Sequence, residues 1–155
     1  MLNEDYKDII RAFHDEGVDF LLIGAYAMAV HGYVRATMDM DLWVLPEPGN
    51  AQSVYRALLR FGAPGNEISP ADFQESDVVL QIGVAPRRID ILTSVSGLSF
   101  ADARQNAVVV HVEDLTFLAL GLGDLIRTKE ASGRLQDLAD VEALQSIQAS
   151  GSAAG

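Results

Sequence analysis

Residues 18 to 44 constrain the fold more tightly than any other part of the chain. An apolar run, Val18 to Ile23, leads into the small-residue turn Gly24-Ala25 and an alanine-rich stretch ending near His31-Gly32. A second apolar run, Met38 to Leu45, then carries Asp39 and Asp41 among Met38, Met40, Leu42 and Val44. The first run reads as a buried strand, and the alanine-rich stretch as a helix pressed closely on a sheet. In a strand, side chains alternate, so Asp39 and Asp41 share one face while the apolar residues take the other. Two carboxylates beside a core are costly unless something cationic joins them. A divalent metal is one such partner.

A lone Asp-x-Asp recurs by chance, so its surroundings decide its meaning. In Arg87-Arg88-Ile89-Asp90-Ile91-Leu92, Ile89 and Ile91 take one strand face and Asp90 the other. A third acid therefore projects from a sheet surface, open either to a metal or to an ion pair with Arg87 or Arg88. Magnesium favours oxygen ligands shared with substrate phosphates. Gly24 and Ala25 precede a helix, where backbone N–H groups suit an anion; a tight turn alone is the simpler role for Gly24.

The rest of the chain reads as mixed α and β. Tyr6, Ile9, Ile10 and Phe13 have helical spacing between Asn3 and Glu16, and Val54, Tyr55, Leu58 and Leu59 repeat it between Ala51 and Phe61. Val78 to Val84 and Arg88 to Leu92 form a hairpin through Ala85-Pro86-Arg87. Ser99 to Gln105 allows a helical turn or two, and Ala107 to Val112 another strand. Glu113 to Ala131 and Arg134 to Ile147 read as two helices separated at Ser132-Gly133. On the last, Leu135, Leu138, Val141 and Leu144 make an apolar stripe with Asp137 beside it. Asp137 needs a cation, and Lys129 or Arg134 can supply it, either as a structural salt bridge or within a nucleotide site. His31 is expected to cap or hydrogen-bond rather than ligate metal, and Tyr26 and Trp43 to pack.

Composition limits the functions. The 155 residues are 49% hydrophobic, enough for one core and one domain. Without cysteine, any metal is held by oxygen or imidazole. Eleven basic against 22 acidic residues leave a net charge of -11, which disfavours nonspecific nucleic-acid binding. No apolar run approaches the roughly 18 residues that span a bilayer, and the first residues do not resemble a leader, so a cytoplasmic location without membrane is expected. The domain is assigned to 1–148, with a small, polar and disordered tail over 149–155.

The pattern Gly24, Ala25, Ala27, His31, Gly32, Arg35, Thr37, Asp39, Asp41 resembles the signature of the nucleotidyltransferase fold of the DNA polymerase beta superfamily. It is more closely similar to small bacterial stand-alone members, including those related to toxins of abortive-infection type toxin–antitoxin systems. The likeness continues through Ile89-Asp90-Ile91-Leu92, Gly97-Leu98-Ser99-Phe100, Asp124 to Lys129 and Gly133 to Asp140. It implies an α/β (α+β) fold, a mixed sheet flanked by helices with a C-terminal helical pair. It also implies metal ligation by Asp39, Asp41 and Asp90, with Asp90 as third ligand or base and magnesium or manganese as the cation. Nucleotide contacts would fall to Gly24, Ala25, Arg35, Thr37, Lys129 and Asp137. The implied activity moves a nucleoside monophosphate from a nucleoside triphosphate to an unidentified hydroxyl, on an RNA end, a protein or a small molecule. A homodimer or an antitoxin is the implied partner. Family members usually have Gly or Ser where Ala25 stands, which leaves only a backbone amide for phosphate at that position. The competing reading is a non-catalytic module of the same fold that binds a nucleotide or a partner.

Overall fold

The structure is a computed structural model that describes residues 2–35, 39–84 and 86–154. Six strands form one mixed sheet: β1 (Phe20–Ile23), β2 (Met40–Val44), β3 (Val79–Ile82), β4 (Ile89–Leu92), β5 (Val108–Val112) and β6 (Leu115–Ala119). Their spatial order is β3-β4-β2-β1-β6-β5. β1 and β2 are antiparallel, whereas β2 runs parallel to β4 and β1 parallel to β6; each edge is an antiparallel hairpin. Leu21, Leu22, Leu42, Trp43, Val44 and Ile91 are buried in these central strands, which explains their unbroken apolar runs.

Helices α1 (Glu4–Asp15) and α3 (Pro48–Phe61) pack against each other, α2 (Gly24–Val30) lies on β1 and β2, α4 (Phe100–Asn106) leads into β5, and α5 (Leu122–Ser132) packs on α6 (Leu135–Ala154). The expected mixed sheet with flanking helices and a C-terminal helical pair is therefore present. The side chain of Asn3 caps α1 by accepting from the Tyr6 amide at 2.9 Å, and the helix buries Tyr6, Ile9, Ile10 and Phe13 as its spacing requires. Buried Asn50 in α3 accepts from the Asp19 amide at 2.7 Å and donates to the carbonyls of Asp19 and Leu45 at 3.0 and 2.9 Å. One amide thus ties α3 to the segments flanking β1 and β2. No helix among the described residues is long and apolar enough to cross a membrane.

Several expected boundaries move. α3 starts at Pro48 rather than Ala51, because proline at the first helical positions loses no hydrogen bond. The helix expected over Glu113 to Ala131 divides into β6 and α5. Glu113 adopts a left-handed φ of 55° and turns the chain between β5 and β6, a role more often signalled by Gly or Asn. Leu115, Phe117 and Ala119 are then buried and Thr116 exposed, an alternation hidden in the sequence by apolar Leu118. β6 closes on β1, with the Leu120 amide donating to Leu22 O at 2.9 Å. The apolar stripe of α6 is also rotated: Val141 and Leu144 are buried, but Leu135 is 87% and Leu138 45% exposed. Asp137 and Asp140 take the inward positions instead. At its far end α6 stays helical through Ala154, past the boundary expected at 148; extending an existing helix needs no new nucleus.

Candidate active site

The acids are set by the register of two parallel strands. Asp41 in β2 lies directly beside Asp90 in β4, and Met40 beside Ile89. Because neighbouring strands in register point equivalent residues to the same face, the two carboxylates stand side by side while Met40, Leu42, Ile89 and Ile91 enter the core. Asp39 lies one residue before β2, not within it as expected, and its side chain is 37% exposed. The Met40 amide donates to Arg88 O at 3.2 Å, so the start of β2 is held against the start of β4.

Asp41 is half-buried, and its carboxyl is pushed up to about 7 by desolvation, by the charges of Asp90 and Asp39, and by a hydrogen bond with Asp90. Arg88 works the other way. Near neutral pH this site therefore carries more carboxylate than its surroundings compensate. Gly24 adopts a left-handed φ of 68°, and a Cβ there would lie 2.2 Å from Asp41 Oδ2. Only glycine lets the turn after β1 approach this carboxylate.

A cavity of about 260 Å³ is lined by Gly24, Ala25, Met28, Arg35, Asp39, Asp41, Asp90 and Lys129. A second, of about 240 Å³, shares Gly24, Asp41 and Lys129 with it and extends past Ser94, Ser96, Thr128 and Ser132 to Arg134 and Asp137. Every residue expected at a metal or nucleotide site lines one of the two, apart from Thr37, which lies outside the described residues.

The far wall is an ion cluster. Lys129 Nζ lies 3.0 Å from Asp137 Oδ1 and 2.9 Å from Asp140 Oδ2, while Arg134 Nε donates to Asp137 Oδ2 at 2.9 Å. Ser132 Oγ also donates to Asp137, and Arg35 Nη2 to Asp140 Oδ1. Burial raises the Asp137 carboxyl, but the donations from Ser132, Lys129 and Arg134 outweigh it and hold the group at about 2. Asp140, fully buried, is lowered in the same way by Lys129 and Arg35 against its burial. Its Oδ2 meets Lys129 as an ion contact without an aligned hydrogen bond. The salt-bridge role for Lys129 and Arg134 is thus present, and both cations still border the cavities. Asp140 and Ser132 have no site role in the sequence reading, although Asp140 stands one helical turn from Asp137.

Asp90 forms the expected ion pair with Arg88 and also lines the cavity, while Arg87 pairs with Asp5 at 3.2 Å. His31 Nε2 donates to Leu120 O at 2.9 Å, and Tyr26 and Trp43 pack edge-on against Tyr6 and Phe100. Among the described residues, no three His, Asp or Glu side chains are closed into a ready-made metal cage. The donor chemistry nonetheless fits a hard divalent ion, with oxygen donors only and an excess of negative charge on one face.

A scan of family models and a search of curated proteins each found no match. Among solved structures, the chain is similar to TM1012 of Thermotoga maritima, described as a "putative nucleotidyltransferase". The TM-score is 0.57 at 15% identity, over 97% of this chain and 96% of that one. A likeness this distant in sequence is a likeness of fold: with a six-stranded mixed sheet and six α-helices among the described residues, the chain shares the nucleotidyltransferase fold of that protein.

Proposed function

We propose that the protein transfers a nucleoside monophosphate from a nucleoside triphosphate to a hydroxyl acceptor, with magnesium or manganese held by Asp39, Asp41 and Asp90. The observation that carries this reading is the pairing of Asp41 with Asp90 against Gly24, in a cavity that also contains Lys129 and Arg35. When bound, the cation neutralises phosphate charge and polarises the reacting phosphorus. Gly24 and Ala25 bring backbone close to the triphosphate, and Arg35 and Lys129 offset its charge. Asp90 takes the proton of the attacking hydroxyl. The oxygen of that hydroxyl bonds to the α-phosphorus as the bond from the α-phosphorus to the oxygen bridging to the β-phosphate breaks, and pyrophosphate leaves. The chain's contribution is alignment and charge, with no covalent intermediate.

Nothing in the cavities selects one acceptor among RNA ends, proteins and small molecules. The sequence likeness to abortive-infection toxins extends the proposal to a toxin–antitoxin pair in a bacterial cytoplasm, the antitoxin or a second copy completing the acceptor site. The locking of Arg35 and Lys129 into ion pairs favours, as a second reading, a module that binds a nucleotide without turning it over. Calorimetry with nucleoside triphosphates and magnesium tests the site: binding by the wild type that is lost in Asp41→Asn supports it, and equal binding by both proteins refutes it. Pyrophosphate release on adding cell extract distinguishes the enzyme from the binder.

A further inference from the structure

Among the described residues, Arg88 is the one cation that forms ion pairs with Asp39 and Asp90. Its Nε and Nη2 donate to the two oxygens of Asp90 at 3.1 and 3.0 Å, a two-pronged pair, and Nε stands 3.9 Å from Asp39 Oδ2. Its backbone is fixed, since Arg88 O accepts from the Tyr6 hydroxyl at 2.9 Å and from the Met40 amide at 3.2 Å. Its side chain is not, being 38% exposed with its hydrogen bonds directed only to Asp90. A planar guanidinium matched to a carboxylate is a strong partner, yet one that can swing out into water at modest cost.

We infer that Arg88 is a resident counter-ion of the acid face, which an incoming divalent cation must displace, and that it sets the affinity of this site for metal. The inference rests on the proposed role of Asp39, Asp41 and Asp90. Both Asp90 oxygens already accept from Arg88, so a divalent cation coming to that carboxylate meets a positive charge seated on it and is opposed until the guanidinium swings away. Asp39, within Coulomb reach of the same guanidinium, is drawn to the same side. Arg88 therefore offsets part of the negative charge of the acid face without metal and makes metal binding an exchange of one cation for another. Removing the guanidinium should tighten metal binding, the opposite of what loss of a merely structural residue would do.

The test is Mn2+ binding to the full chain, followed by electron paramagnetic resonance of the free ion, for the wild type, Arg88→Gln, Arg88→Lys and Asp41→Asn, with thermal unfolding to show that each is folded. Arg88→Gln is expected to bind Mn2+ about tenfold more tightly than the wild type, the size of effect a partly buried charge pair supports. Arg88→Lys should lie between them, because it keeps the charge but not the fork. Asp41→Asn should abolish binding. If Arg88→Gln binds Mn2+ no better than the wild type while Asp41→Asn still loses it, the counter-ion role is wrong and the metal site stands. If neither the wild type nor Arg88→Gln binds Mn2+, the metal site itself is wrong, and the counter-ion role fails with it.

Discussion

Gly24 and Asp41 are in such close contact that a single methyl group on Gly24 would fall 2.2 Å from the carboxylate oxygen Oδ2. Gly17 offers a natural control, because it has nearly the same left-handed φ of 67° but open space around it. Gly17→Ala should cost about 1 kcal/mol, the strain of a left-handed alanine. Gly24→Ala should cost at least about 2 kcal/mol, because the clash adds to that strain, and should displace the carboxylate. Urea unfolding of the two variants separates strain from crowding.

Asp41 gives stability an unusual slope with pH. Its folded value of about 7 lies above the ordinary carboxylate value, so its contribution is complete below about pH 4 and disappears as pH rises through about 7. Without divalent cation, Asp41→Asn should flatten this part of the profile. At pH 8 it should be more stable than the wild type by on the order of 2 kcal/mol. Denaturant titrations at pH 5 and 8 measure the difference.

Asp137 produces the opposite slope. Held at about 2, it stabilises the fold above about pH 4, and that contribution is lost as pH falls through about 2. Asp137→Asn should therefore be less sensitive to acid than the wild type, though less stable at neutral pH. Asp140→Asn, which leaves Lys129 and Arg35 facing a buried neutral amide, should cost about 3 kcal/mol. Acid unfolding followed by circular dichroism checks both.

The rotation of α6 separates two leucines that the sequence treats alike. Leu144→Ala should cost about 3 kcal/mol, since its side chain is fully buried. Leu135→Ser, on a residue 87% exposed, should change stability by less than about 0.5 kcal/mol. Thermal unfolding of the pair decides which face of the helix is inward.

These leucines also mark where sequence reading reached its limit. Strong local signals carried through: α2 spans Gly24–Val30 as the alanine-rich run required, and Asp41 and Asp90 came from strands with clear alternation. The inward face of α6 depended on Lys129 and Arg35, cations elsewhere in the chain that draw Asp137 and Asp140 inward and leave Leu135 outside. β6 was missed for a similar reason, because its strand state is imposed by pairing with β5 and β1 rather than by propensity. The pairing of Arg88 with Asp90 is legible in their spacing along one strand, but the reach of Arg88 toward Asp39 exists only once β2 and β4 lie side by side.

The parallel pairing of β2 with β4 also bears on how the chain acquires its site during synthesis. Asp41 and Asp90 are brought together across a stretch containing α3 and β3, and Lys129 is paired with Asp137 and Asp140 on the last helix. A nascent chain stopped after β2 has Asp41 without its neighbour, and one stopped after β4 lacks the cationic wall. Long-range pairing of this kind forms late. The wall that Asp137 completes thus exists only once α6 has been made, and an incompletely made chain has no finished site with which to act.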